Sequence, residues 1–176
     1  PLVNLAAIFT AAMTISLVPA ISESRALEDF QSIRDKIRLG FRAAMIINFP
    51  CFVGLFFLAE KVAGLIYNAP GAAGAIQTMS AGILFLGMHQ ISTGVLQGLE
   101  HTAVPVINMI LAGVVKVALS WWLTALPELG VKGAALATVA DFAVAAVLNM
   151  CFIYKYTGFC MTFGSVAKPL LSSGFS

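Results

Sequence analysis

The sequence predicts an all-α fold, a polytopic transmembrane helical bundle, and three observations carry that expectation. Apolar residues make up 60% of the 176 residues and charged residues only 10%, against about 45–50% and 25% in soluble domains. The mean hydropathy is +0.94, which suits a chain solvated by lipid. The apolar residues also gather in runs, and at about 20 residues per span the chain has room for five or six transmembrane helices. An ordinary soluble enzyme is excluded. The net charge of +2 describes loops, not a nucleic-acid surface.

Residues 2–20 form the first expected span, ended by Pro19 and the polar Ser22-Glu23-Ser24. From Glu23 to Arg42 the composition inverts, with nine charged residues, while Leu27, Phe30, Ile33 and Ile37 keep a helical spacing. An interfacial amphipathic helix is expected there, over residues 23–38. The second span covers residues 39–58, with Pro50 in its middle removing one amide and bending the helix. After the turn at Asn68-Ala69-Pro70-Gly71, the third span covers 75–99 and the fourth 103–126. Pro127-Glu128-Leu129-Gly130 turns the chain into the fifth span, 131–154, and a further span begins at 169–176. The whole reads as one transmembrane domain, a piece of a longer membrane protein.

Orientation follows from Lys and Arg, because short loops rich in them stay inside. Arg25, Arg34, Lys36, Arg38, Arg42, Lys155 and Lys168 lie on one side and only Lys61 and Lys132 on the other. The loop between the first two spans is therefore cytoplasmic and Pro1 lies on the outer face, with more chain expected before it. Trp121, Trp122 and Tyr154 sit near span ends, as interfacial aromatics do.

Cys51, Cys151 and Cys160 form no CxxC pair and have no histidine at ligand spacing, so neither a disulfide framework nor a metal site is expected. No Ser/His/Asp, Cys/His, paired-carboxylate or phosphate-loop pattern appears. The reading is a non-enzyme with no cofactor.

The informative residues are the polar ones inside the spans. Lys116 and Asp141 each lie about ten residues, roughly 15 Å, from the turn joining the fourth and fifth spans. They share a depth where a charge needs a partner or a wet cavity. Two readings stay open: Lys116 faces a cavity that takes an anionic substrate or an ion, with Asp141 as counter-charge, or the two form a buried pair that serves packing alone. Asn108, Ala112, Lys116, Ser120 and Thr124 make a four-residue stripe on the fourth span, and Thr138, Asp141, Ala145 and Asn149 make one on the fifth. Gln90, Thr93, Gly94, Gln97, Gly98 and His101 make a third, in which the Gly94-x-x-x-Gly98 pair reads as close helix packing. Lys116, Asp141, Gln97, Asn108 and Gln90 are the candidate substrate-binding residues.

The order of segments then resembles a known family. Thr14-Ile-Ser-Leu-Val-Pro-Ala-Ile-Ser-Glu23, Ile33-Arg-Asp-Lys-Ile-Arg-Leu-Gly-Phe-Arg42 and Val53-Gly-Leu-Phe-Phe-Leu-Ala-Glu60 are followed by Gly94-Val-Leu-Gln-Gly-Leu99, Val104-Pro-Val-Ile-Asn108, Val114-Val-Lys-Val117 and Gly130-Val-Lys-Gly-Ala-Ala-Leu136. Together they are similar to the stage V sporulation protein B and lipid II flippase-like branch of the multidrug/oligosaccharidyl-lipid/polysaccharide exporter superfamily. The resemblance implies two six-helix lobes plus a C-terminal pair, of which this chain is most of the C-terminal lobe, working by alternating access. It implies a multi-pass protein of the cytoplasmic membrane that flips a lipid-linked oligosaccharide or peptidoglycan precursor. The implied partners are the lipid bilayer, the lipid-linked glycan and the N-terminal lobe, with no nucleic acid. Lys116 matches a position where that branch often has Lys, whereas Asp141 departs from its pattern. A cation-coupled multidrug exporter and a non-transporting membrane scaffold subunit are the alternative readings.

Overall fold

The computed structural model describes residues 2–65, 72–125 and 130–159. It has five helices, α1 (Leu2–Ala26), α2 (Phe30–Leu65), α3 (Ala73–Gly98), α4 (Ala103–Thr124) and α5 (Gly130–Thr157), and no strand among the described residues. All five are long and apolar enough to cross a membrane. The fold is an all-α bundle of membrane-spanning helices. The expected further span at 169–176, Lys168 and Cys160 lie outside the described residues.

Helix α3 is the centre: α1, α2 and α5 pack against it, and α4 packs on α5. Side-chain contacts give the directions. The Cβ position of Gly94 meets Thr14 and that of Gly98 lies 2.8 Å from Ile21 Cβ and 2.9 Å from Val18 O, so α1 and α3 run parallel. Asn149 bonds Ser92, and Val139 packs against Gly82, so α5 runs parallel to α3 as well. Gly94 and Gly98 thus serve packing: any side chain at either would push α1 away.

The charged segment after α1 is built differently from the expected surface helix. Glu23 to Ala26 complete α1, and residues 30–65 form one helix of 36 residues that runs on through Pro50. Asp29 starts it, its Oδ1 accepting from Ser32 N at 2.9 Å as an N-cap does. Ile33, Ile37, Phe41, Ala44 and Asn48 then make one continuous buried stripe, so nothing breaks the helix where the composition changes from charged to apolar. Ile33 and Ile37 face the bundle, not a lipid surface, whereas Leu27 and Phe30 are exposed. A helix of that length spans about 54 Å, well beyond a hydrocarbon core of about 30 Å, so its charged first turns stand in the headgroup layer and the water. Pro19 likewise fails to stop α1, which continues for seven residues past it.

The three helices ending on this charged side each close through a left-handed residue. Asp29 N reaches back to Ser24 O and His101 N to Leu96 O, both at 2.9 Å, with Glu28 and Glu100 in the left-handed region. Gly158, also left-handed, closes α5 by donating to Tyr154 O. Cations then bond backbone carbonyls of neighbouring helices: Lys36 Nζ donates to Ala20 O at 2.8 Å and Arg34 Nε to Thr157 O at 2.9 Å. Beneath them lies an apolar core of Ile21, Ile33, Ile37, Phe41, Ile91, Val95, Leu96, Leu99 and Ile153.

Candidate functional site

Deeper in the bundle the contacts become polar. Helix α4 carries Asn108, Ala112, Lys116, Ser120 and Thr124 at intervals of four, so all fall on one strip of its surface. That strip meets α5. Asn108 Nδ2 donates to Asn149 Oδ1 at 2.9 Å, and Lys116 Nζ lies 3.5 Å from Asp141 Oδ2. The two pairs are eight residues apart on both helices, so they belong to one antiparallel register, about 12 Å from rung to rung. Ala112 and Ala145 occupy the rung between them and are buried. Small residues let the backbones approach, and the two polar rungs fix which residues face each other.

The upper rung extends to α3. Asn149 is fully buried and its Nδ2 is 3.2 Å from Ser92 Oγ, 3.1 Å from Thr93 Oγ1 and 3.5 Å from His89 Nδ1. One amide with two hydrogens therefore serves several acceptors on α3 while its oxygen holds Asn108 of α4. Three helices meet on that single side chain. The lower rung is more open: the Lys116 side chain is 40% exposed and that of Asp141 17%.

The five candidate residues separate into three places. Lys116 and Asp141 are brought together, and Asn108 sits one rung away, 2% exposed and engaged with Asn149. Gln90 lines an open recess of about 210 Å³ between α1 and α3, with Ala11, Thr14, Ile15, His89 and Thr93, and its Oε1 is buried with no hydrogen-bond partner. Gln97 is exposed one residue from the end of α3. It lies about 6 Å along the axis from the Thr93 level and about 18 Å from that of Lys116, so one small group cannot touch both.

A second buried polar contact escaped the sequence reading. Thr10 Oγ1 donates to Asn48 Oδ1 at 3.3 Å, joining α1 to α2, and the Asn48 amide fills the space that Gly87 leaves on α3. Its signal was present, an amide alone in the apolar run before Pro50, but a single Asn names no partner. His101, just past the end of α3, stacks on Tyr156 with ring centroids 3.9 Å apart. Among the described residues no cluster of three metal-ligating side chains forms.

Five spanning helices joined internally by amide, hydroxyl and ion pairs define a multi-pass membrane protein with several of its polar residues turned toward protein. Residues 4–172 match the family model described as lipid II flippase MurJ, and the chain belongs to that family. It is 32% identical over 152 residues to the uncharacterized membrane protein YabM of Bacillus subtilis (strain 168), covering 85% of this chain and 28% of that protein. It is 28% identical over 154 residues to stage V sporulation protein B of the same organism, covering 88% of this chain and 30% of that protein. The chain thus spans less than a third of the length of either relative. No solved structure matches it.

Proposed function

We propose that the chain is part of a transporter that moves a lipid-linked oligosaccharide or peptidoglycan precursor across the cytoplasmic membrane by alternating access. The observation that carries this reading is membership of a flippase family along nearly the whole chain, residues 4–172. The geometry supports a division of labour. The rung of Asn108, Asn149, Ser92 and Thr93 ties α3, α4 and α5 into one body, which is what a lobe that rocks as a unit requires. Lys116, loosely paired and 40% exposed, is the group with charge to offer an anionic headgroup. Its flexible ammonium acts as a point charge and follows a phosphate through a change of access. Gln90, with its unmet buried oxygen, is the neutral contact on the α1/α3 side.

The 3.5 Å approach of Lys116 to Asp141 favours a second reading, in which the pair serves packing alone. Lys116→Met with Asp141→Asn in the full-length protein separates the two, because it deletes the lysine's charge without leaving the Asp141 carboxylate unpartnered. The transport reading expects normal abundance in the membrane and loss of precursor flipping. Normal flipping by that variant leaves Lys116 as a packing residue.

A further inference from the structure

Along the outer face of α2, two ladders follow one another. Arg34, Arg38 and Arg42 recur every four residues and all three are exposed. Phe49, Phe52 and Phe56 continue the line, with ring centroids 6.3 Å and 5.8 Å apart. At 3.6 residues per turn the six positions fall on a strip about 80° wide. The buried Ile33, Ile37, Ala44 and Asn48 lie on the adjacent flank of the helix, centred about 110° round from the middle of that strip. Phe49 and Phe56 are 43% and 40% exposed.

The charges on this strip are mostly uncompensated. Arg38 meets Asp35 at 3.4 Å, but both side chains are more than half exposed, and such a pair holds weakly. Arg42 pairs with no carboxylate among the described residues. Arg34 spends its Nε on Thr157 O and anchors the end of α5. Along the axis the arginines cover about 12 Å and the phenylalanines begin about 10 Å further on. That is the order of a headgroup layer followed by the acyl layer of one leaflet.

We propose that this face of α2 docks an anionic phospholipid, its phosphodiester on Arg38 and Arg42 and an acyl chain along Phe49, Phe52 and Phe56. Guanidinium forks match phosphate oxygens in pairs, and the aromatic ladder offers an apolar track directly below them. A phosphate carried on a hydrocarbon chain is the ligand that satisfies both ladders. A free phosphate leaves the phenylalanines unused, and a neutral lipid leaves the arginines unused. Basic side chains at a membrane surface are the known attractors of anionic lipid, and the positive side of this bundle is the side where they stand.

The test uses the full-length protein in nanodiscs of equal phosphatidylglycerol and phosphatidylcholine, reading the immobilised fraction of a spin-labelled form of each lipid. The unaltered protein is expected to hold phosphatidylglycerol preferentially. Arg38→Gln with Arg42→Gln is expected to lower that preference, by about fivefold for each arginine at most, while Arg38→Lys with Arg42→Lys, which keeps the charge and loses the paired bonds, falls between the Gln variant and the unaltered protein. Arg34 is left in place because it holds α5. Should the double variant not fold, Arg42→Gln alone, at an exposed and unpaired position, carries the same expectation at half the effect. Equal immobilisation of the two lipids by the unaltered protein, or an unchanged preference in the Gln variant, overturns the proposal. Displacement of the labelled lipid by soluble glycerol phosphate also overturns it, since the ligand is then a free anion.

Discussion

The charged end of the bundle and its middle are held together by different chemistry. At the charged end the buried side chains are large and apolar: Ile21, Ile33, Ile37, Phe41 and Leu96 are all no more than 1% exposed. In the middle and beyond it small and polar residues join Ile83 and Ile91, with Ala112, Ala145 and Ala146 between the Asn108–Asn149 and Lys116–Asp141 rungs. Water explains the difference. Near the headgroups, burying a Phe or Ile removes apolar surface from water and drives association. In the hydrocarbon a Leu is as well solvated by lipid as by protein, so helices associate through close packing of small residues and through hydrogen bonds. The outer face of α4 shows the same physics from outside: Ile107, Ile110, Val114, Val117 and Trp121 are all at least half exposed, as suits side chains solvated by lipid.

The largest effect should come from the charged end. Phe41→Ala in the full-length protein is expected to cost about 3–5 kcal/mol, as for other buried aromatics, read from unfolding in mixed detergent and dodecyl sulfate micelles. A loss under about 1 kcal/mol would mean that water does not drive that core. Next comes the lower rung of the seam. Lys116→Met leaves Asp141 without its partner at a depth where a lone charge costs about 2.5–3.5 kcal/mol, and adding Asp141→Asn should recover most of the loss. Purely additive losses in the double variant would show that the two side chains do not support one another.

A smaller effect is expected at the upper rung. Asn149→Ala should cost about 0.6 kcal/mol and no more than about 1.7, even though it removes contacts to four residues, because the unfolded helices also find partners within the membrane. A cost as large as that of Phe41→Ala would erase the distinction between the two regions. The smallest change is a gain. Glu28 holds φ 55 where a side chain is strained, so Glu28→Gly should stabilise the closure of α1 by about 0.5 kcal/mol. A loss there would show that the Glu28 side chain has a role that outweighs its backbone strain.

Much of the deep seam was legible beforehand. The stripes of Asn108 and Lys116 on one helix and Asp141 and Asn149 on the next share a period of four or nearly so, and a polar stripe on a spanning helix has to face protein or water. Equal distance from one turn also aligned Lys116 with Asp141. Gln97 shows where that reasoning stops: it shares a stripe with Gln90 and Thr93, yet it emerges exposed near the helix end. Periodicity reports which face a residue is on, and carries no information about which neighbour covers that face. Helix α2 shows the complementary failure. Its composition changes sharply after Arg38, but backbone hydrogen bonding is indifferent to that change, and one buried stripe from Ile33 to Asn48 carries the helix through it.

Composition and the spacing of apolar runs were enough, alone, to determine that the protein is a membrane-spanning all-α bundle and which side of it is positively charged. Those properties belong to individual segments, since lipid sorts each run of about 20 residues by its own transfer free energy. The tertiary structure decided the rest: that α3 is the centre, that Thr10 finds Asn48, and that Asn149 gathers α3, α4 and α5. It also paired Lys116 with Asp141 at 3.5 Å and left Gln97 apart. Each of these depends on the register between two helices, and register is set by how small residues such as Gly94, Gly98, Ala112 and Ala145 let whole backbones fit, a property that no single helix possesses.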